Sequence, residues 1–375
     1  MRSAEIPDVL PALLPDRIVQ LTEELTGGPA ALYVIDIEGS SACRLTAAAG
    51  FPATIDISGA LGPEAGRLAI DDIRDQLEAV VPNAEAAPLW VRCRATAVLV
   101  ASQDQHGVLE EIGATVAPYF ELASGYTDLI ERCRRVRRTS AAAEVQQDLL
   151  APRMTPIAGG EVAGSLLPAY DVGGDWFDHA ENPEGAWLTV ADAMGKGVRA
   201  TAVSAIALAA LRGARRSGDS LEECCQAVDD AVHEMAVAEP TFLTAVIATW
   251  HASSRTLAWV NCGHPAPLLM AADGTTEELC GPLSLPFGVA EPGTRHFERV
   301  QRNLATGDRV IFYSDGITER RTPSGRFGID GLIGAVDTAA DPSAAAVADA
   351  IEQAVMNASD DDISDDATQL VLRVD

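Results

Sequence analysis

Seven short apolar runs between Glu161 and Val374, set among only three helix-length stretches, constrain this chain more than any other feature. The runs are Glu161–Tyr170, Ala186–Asp192, Phe242–Trp250, Thr256–Cys262, Pro267–Met270, Val310–Ser314 and Ala367–Val374. Each has strand length and is bounded by turn-forming residues. Phe242–Trp250 and Thr256–Cys262, separated by the polar His251–Ser254, read as a hairpin. Helical stretches at Arg199–Arg215, Ser220–Val237 and Pro342–Met356 complete the pattern. Strand pairs with paired helices predict sheets covered by helices, an α+β layered domain.

A chain of 375 residues has room for a second core ahead of this one. Ala30–Ile37 is apolar and runs into the turn cluster Glu38-Gly39-Ser40-Ser41, while Leu89–Ala101 begins with alternation and becomes continuously apolar, as a central strand would. Leu61–Ala79 between them is expected to be helical, giving a small α+β domain over 1–118. Residues 119–152 are expected to form one long linker helix. Leu122, Tyr126, Leu129, Cys133 and Val136 follow a coiled-coil rhythm, flanked by Arg132, Arg134, Arg135, Arg137 and Arg138. That seam predicts a homodimer. Helical character persists through Ala141–Leu150 and stops at Pro152, leaving a third segment at 153–375.

Composition narrows the function. A net charge of -28 repels phosphate backbones and anionic lipid, so neither nucleic acid nor a membrane is expected as a partner. Seven cysteines without a C-x-x-C pair predict reduced thiols in a cytoplasmic protein, and the acidic, proline-containing N-terminus is not expected to be a signal peptide.

Four patterns in the last segment set an aspartate at or near a strand end beside small residues: Val172-Gly173-Gly174-Asp175, Val190-Ala191-Asp192-Ala193-Met194-Gly195-Lys196-Gly197, Tyr313-Ser314-Asp315-Gly316 and Asp365-Asp366-Ala367-Thr368. With 55 acidic residues, each alone is ordinary, and Asp360-Asp361-Asp362 reads as a solvated acidic run. The strand context sets the four apart, because carboxylates at strand ends can converge though distant in sequence. Oxygen ligands without His or Cys select hard cations such as Mg2+ or Mn2+. Trp176 excludes a cyclase signature at Gly173-Gly174-Asp175, and Gly195-Lys196-Gly197 lacks the P-loop frame. His264, in Asn261-Cys262-Gly263-His264-Pro265, reads as a structural turn residue rather than a base. Lys196 is the chain's only lysine, and a compact ammonium there could meet a phosphate.

Taken together and in order, these motifs resemble the catalytic domain of the metal-dependent PPM protein serine/threonine phosphatases, in the branch of stage II sporulation protein E and the sigma-factor-regulator phosphatases. The resemblance runs from Gln146-x-x-Leu149-Leu150-x-Pro152 through Asp171-Val172-Gly173-Gly174-Asp175, Asp192-x-x-Gly195-Lys196-Gly197, Asn261-Cys262-Gly263-His264-Pro265, Leu285-Pro286-Phe287-Gly288 and Tyr313-Ser314-Asp315-Gly316 to Asp365-Asp366-Ala367-Thr368. It implies an αββα sandwich of two antiparallel sheets flanked by helices. It further implies a centre of two divalent cations, Mn2+ or Mg2+, with Asp192 bridging both. Asp175 and the Ala193 carbonyl would join one ion, Asp315 and Asp365 the other, making Asp175 and Asp192 the catalytic pair. Lys196 would be a phosphate contact, though many relatives carry His or Asn there. The implied substrate is a phosphorylated anti-sigma-factor antagonist of the STAS type, in a partner-switching pathway. Gln146, Leu149 and Leu150 would lie on a regulatory helix responding to a signal at the first domain. That domain resembles a GAF-type sensor, with a PAS-type domain as the other reading. A non-catalytic partner-binding regulator is the alternative function.

Overall fold

The computed structural model describes residues 6, 8–36, 41–56, 74–75, 77, 81–91, 94–104, 107–135, 138–167, 173–236, 240–291, 294–323, 325–359 and 365–375. It divides into two compact units, Met1–Arg138 and Thr139–Asp375. Among the described residues no helix is long and apolar enough to cross a membrane.

The first unit is a five-stranded antiparallel sheet in the order β3-β2-β1-β5-β4. Its strands are β1 (Ala30–Ile35), β2 (Ser41–Ala47), β3 (Thr54–Asp56), β4 (Glu85–Val91) and β5 (Arg94–Ala101). Helices α1 (Leu14–Thr26) and α2 (Leu109–Ser124) pack on it through Ile18, Ile112, Val116 and Phe120. The expected strand Leu89–Ala101 is instead parts of two. Val91 pairs with Arg94, so the run reverses within itself; the alternation across Arg92 and Arg94 reads as strand and gives no turn residue to mark the reversal. Of the expected helix 61–79, the described Arg74, Asp75 and Leu77 are helical and the rest lies outside the described residues.

The single linker helix is also corrected. The chain forms α2, then α3 (Leu129–Arg134), then α4 (Ala141–Leu149). The Gly125 N–H closes the end of α2 on the Leu122 and Ala123 carbonyls, and Arg135 is extended. The Ser140 hydroxyl then starts α4 by accepting from the Ala143 N–H at 3.1 Å. Heptad spacing registers the apolar positions but not these local stops. Leu122 and Tyr126 are 64% and 73% exposed, and Val136 lies outside the described residues.

The second unit contains two six-stranded sheets. One runs β14-β11-β10-β9-β8, with β15 also on β11. Its strands are β8 (Trp176–Asn182), β9 (Gly185–Ala193), β10 (Leu243–His251), β11 (Thr256–Cys262), β14 (Leu283–Ser284) and β15 (Val300–Asn303). The other runs β13-β12-β16-β19-β7-β6, from β6 (Met154–Ile157), β7 (Gly160–Leu167), β12 (Leu268–Met270), β13 (Thr276–Glu278), β16 (Arg309–Tyr313) and β19 (Ala367–Val374). A short ribbon joins β17 (Arg321–Thr322) to β18 (Gly325–Arg326).

Side-chain alternation explains the layering. On β10, Val246, Ala248 and Trp250 enter one core while Leu243, Ala245 and Ile247 enter another. On β19, Leu370, Leu372 and Val374 share the first of these with β10, and Ala367 and Val371 face a third. A strand apolar on both faces must be covered on both. The shared core therefore lies between the sheets, built around Phe177, Trp250, Trp259 and Phe312. Helices α5 (Val198–Ser217) and α6 (Leu221–Ala236) cover one outer face through Val203, Leu211 and Val228. After the one-turn α7 (Asp315–Thr318), helices α8 (Gly328–Asp337) and α9 (Ala344–Asn357) cover the other through Leu332, Val347 and Ile351. This is the αββα sandwich.

Candidate metal centre

The expected ligands sit where strands end. Asp192 and Ala193 close β9, paired with Thr244 and Leu243 of β10. Asp175 immediately precedes β8, whose first residue pairs with Ala191. Asp315 opens α7 just after β16, and Asp365 lies just before β19. Because β16 and β19 are antiparallel neighbours, the end of one lies beside the start of the other.

Glycines allow the backbone to close around these positions. A Cβ on Gly174 would fall 2.2 Å from the Ala193 carbonyl oxygen, and one on Gly173 would meet the Asp366 carboxylate at 2.5 Å. At Gly316 it would lie 1.8 Å from the Asp366 carbonyl oxygen. Only a residue without a side chain fits such approaches.

Charge links the carboxylates. Burial pushes the Asp192 carboxyl up to about 6, reinforced by the charges of Asp315 and Asp365 and opposed by hydrogen bonding with Asp175 and by Lys196. Asp175, 3% exposed, is raised well above the usual carboxylate range by burial, then by Asp192 and Asp366; the Ser314 and Thr368 hydroxyls offset part of this. Asp315 is raised by burial and by Asp365 and Glu319. These groups are electrostatic neighbours rather than a closed cage: among the described residues no three His, Cys, Asp or Glu side chains have the spacing of ion ligands. They nevertheless fit cations. The buried Asp175 Oδ2 has no hydrogen-bond partner among the described residues, the donors are all oxygen, and Gly174 leaves the Ala193 carbonyl uncovered by a side chain.

Asp366 is the residue that the sequence reading passed over. It is buried, and its carboxylate accepts from the Gly173 N–H at 3.0 and 2.9 Å, the Asp175 N–H at 3.4 Å and Gln146 Nε2 at 3.4 Å. Burial raises it to about 7 against those donors. Its signal was the adjacent acid pair, of which only Asp365 was assigned a role. Gln146, also buried, donates to the Asp175 carbonyl at 2.7 Å, so α4 touches the backbone of an expected ligand. Leu149 and Leu150 pack at the edge of the cores, and the Leu149 carbonyl accepts from Arg212 Nη2 at 2.7 Å. That guanidinium and Arg215 together bind the buried Asp178.

Lys196 Nζ lies 3.1 Å from Asp365 Oδ1, with both side chains more than half exposed. Such a pair contributes at most about 1 kcal/mol. His264 is buried, its Nδ1 2.8 Å from the Thr244 hydroxyl, and its main chain is bonded on both sides by Asn261. Burial lowers its pKa to about 3, which keeps the ring neutral and agrees with a structural turn. Residues 168–172 and the acidic run 360–362 lie outside the described residues.

Comparison with known proteins adds four findings. The family described as Stage II sporulation protein E (SpoIIE) matches residues 182–375. The phosphoserine phosphatase RsbU of Bacillus subtilis (strain 168) is 24% identical over 233 residues, covering 62% of this chain and 68% of the relative. Among solved structures, the SiaA-PP2C domain of Pseudomonas aeruginosa aligns with a TM-score of 0.52 and 20% identity, over 62% of this chain and 94% of that one. The RsbU and RsbW domains of Rv1364c from Mycobacterium tuberculosis align at 0.49 and 25% identity, over 58% of this chain; the match spans 62% of that chain.

Proposed function

The chain belongs to the stage II sporulation protein E family, a bacterial branch of the PPM phosphatases, and from that premise we propose that its second unit hydrolyses phosphoserine or phosphothreonine on a protein. The observation carrying this reading is the electrostatic convergence on Asp192 of carboxylates from separate segments, beside a buried Asp175 oxygen with no partner among the described residues. Asp175, Asp192, the Ala193 carbonyl, Asp315 and Asp365 would hold two divalent cations, Mn2+ or Mg2+. Such ions supply Lewis acidity and a water of lowered pKa for in-line attack on phosphorus.

The chain's own residues prepare that site. Asp366 and Gln146 hydrogen-bond the Asp175 backbone on its N–H and its carbonyl, which helps to orient its carboxyl. Lys196, beside Asp365, would place an ammonium where phosphoryl oxygens approach. The proposed substrate is a phosphorylated anti-sigma-factor antagonist of the STAS type; the relative named as a phosphoserine phosphatase supports the chemistry. The first unit would be a GAF-type sensor acting through Gln146, Leu149 and Leu150 on α4. The exposed Leu122 and Tyr126 support a homodimer through the linker segment.

The test is Mn2+-dependent hydrolysis of an aryl phosphate, then of the phosphorylated antagonist, by the wild type and Asp192→Asn. The variant is expected to lose more than the roughly 10- to 100-fold typical of an outer-shell change. Full activity in Asp192→Asn would remove the assigned site, and no activity in either protein would favour a non-catalytic binder.

A further inference from the structure

Asp365 and Asp366 are joined by one peptide bond but have opposite settings. The Asp365 side chain is 63% exposed beside Lys196, whereas Asp366 is 6% exposed. Both carboxylate oxygens of Asp366 are taken by protein donors. Oδ1 accepts from the Gly173 N–H at 3.0 Å. Oδ2 accepts from the same N–H at 2.9 Å, from the Asp175 N–H at 3.4 Å and from Gln146 Nε2 at 3.4 Å. A buried carboxylate filled in this way acts as an acceptor for the backbone rather than as an ion ligand.

The main chain of Asp366 is held from the other side. Its carbonyl accepts from the Ser314 hydroxyl at 3.3 Å, and that hydroxyl accepts from the Thr368 N–H at 3.0 Å. The Ser314 N–H in turn donates to the Thr368 carbonyl at 2.9 Å. The α7 turn packs directly on the Asp366 carbonyl, since a Cβ on Gly316 would lie 1.8 Å from its oxygen. Ser314 and Gly316 flank Asp315. Asp366 thus meets three ligand segments: that of Asp175 through its carboxylate, that of Asp315 through its carbonyl, and that of Asp365 through the chain itself. In the proposed assignment the first serves one ion and the other two serve the second.

We propose that Asp366 is a positioning residue shared by both cation sites, its carboxylate tying the Gly173–Asp175 turn to the backbone that carries Asp365 and abuts Asp315, so that both sites depend on one side chain. This rests on the metal-centre reading above and extends it from the orientation of Asp175 to the separation of the two ions. Asp366 touches neither ion nor substrate; it acts through the segments that deliver the ligands.

The experiment is a Mn2+ titration of the full chain, following free Mn2+ by electron paramagnetic resonance and heat by calorimetry. The wild type is expected to fill two sites. Asp366→Ala should weaken both about 10- to 100-fold, the range for lost outer-shell partners. Asp366→Asn keeps an oxygen for the Gly173 N–H and should fall between; it also serves if Asp366→Ala does not fold. Both variants remove the same charge, so equal losses would assign the effect to charge rather than position and overturn the proposal. The shared role is read in two backgrounds, Asp175→Asn and Asp365→Asn, each of which impairs one site. In each, Asp366→Ala should weaken the remaining site by about 10-fold or more. A loss in only one background would confine Asp366 to that site and overturn the shared role. Ile351→Ala, a buried change on α9, should lower Tm without moving either site; equal weakening by it would reduce Asp366 to general stability. A wild-type titration in both Asp366 variants would overturn the proposal while leaving the metal centre intact. A wild type that binds no Mn2+ would overturn both readings.

Discussion

Replacing Gly316 by alanine tests the packing of the site directly. The added Cβ would lie 1.8 Å from the Asp366 carbonyl oxygen, 2.7 Å from its carbon and 3.3 Å from Ala367 N, all backbone atoms. A carbon–oxygen contact needs about 3.3 Å, so the two segments must separate by about 1.5 Å. Asp366 cannot yield freely, because its carbonyl accepts from the Ser314 hydroxyl and its carboxylate from the Gly173 N–H. Overpacking costs about 1–3 kcal/mol, and losing these two hydrogen bonds adds about 1 kcal/mol each, giving roughly 3–5 kcal/mol. For a unit of this size that lowers Tm by roughly 10 °C. The assay is thermal unfolding of Gly316→Ala beside Gly213→Ala, a helical position with open space around its Cβ. The control should gain about 0.5–1 kcal/mol. If Gly316→Ala melts within about 2 °C of wild type, the close approach is not a real constraint and the argument from it fails.

Two further outcomes follow from buried charge. Asp229, 1% exposed, accepts from Arg295 at 2.5 Å and from the Gly288 N–H at 2.9 Å, while that guanidinium lies over the Phe287 and Phe297 rings. Asp229→Ala strands the arginine and should cost about 3–5 kcal/mol in urea unfolding; less than about 1 kcal/mol would contradict the buried pair. His264, lowered to about 3, refuses in the fold a proton that the unfolded chain binds below about 6.5. It therefore removes stability as pH falls through that window, by up to about 1.4 kcal/mol per pH unit. Asp366, near 7, and Asp192, near 6, act oppositely, gaining stability as pH falls towards the unfolded carboxylate range. The difference between wild type and His264→Gln isolates the histidine, and identical pH slopes would show that it titrates normally.

What could be seen in the sequence was set by how local its cause was. The β9, β10, β11, β16 and β19 runs were legible because apolar residues on both faces leave no other home for them, and Asp192 and Asp315 because β9 and β16 lead into them. Strand β8 was missed: it carries Asp178 and His179, whose partners Arg212, Arg215 and the Pro152 carbonyl come from elsewhere in the unit. The role of Asp366 was hidden for the same reason, its donors Gly173 and Gln146 being 193 and 220 positions away. The linker failed in the opposite sense. Its apolar spacing was real, but the break at Gly125 and the restart at Ser140 decide where helix can continue.

The placement of β19 has a consequence for how the molecule matures. This strand occupies the interior of its sheet, between β16 and β7, although β7 is among the first strands of the unit in sequence and β19 the last. Until 367–374 insert, β7 and β16 have no common neighbour and Asp366 has no turn to grip. The assembly of the site thus requires pairing between segments far apart in the sequence, which makes it a non-local closure. Partly folded chains would not hold ions, and ion binding should report completion of the fold.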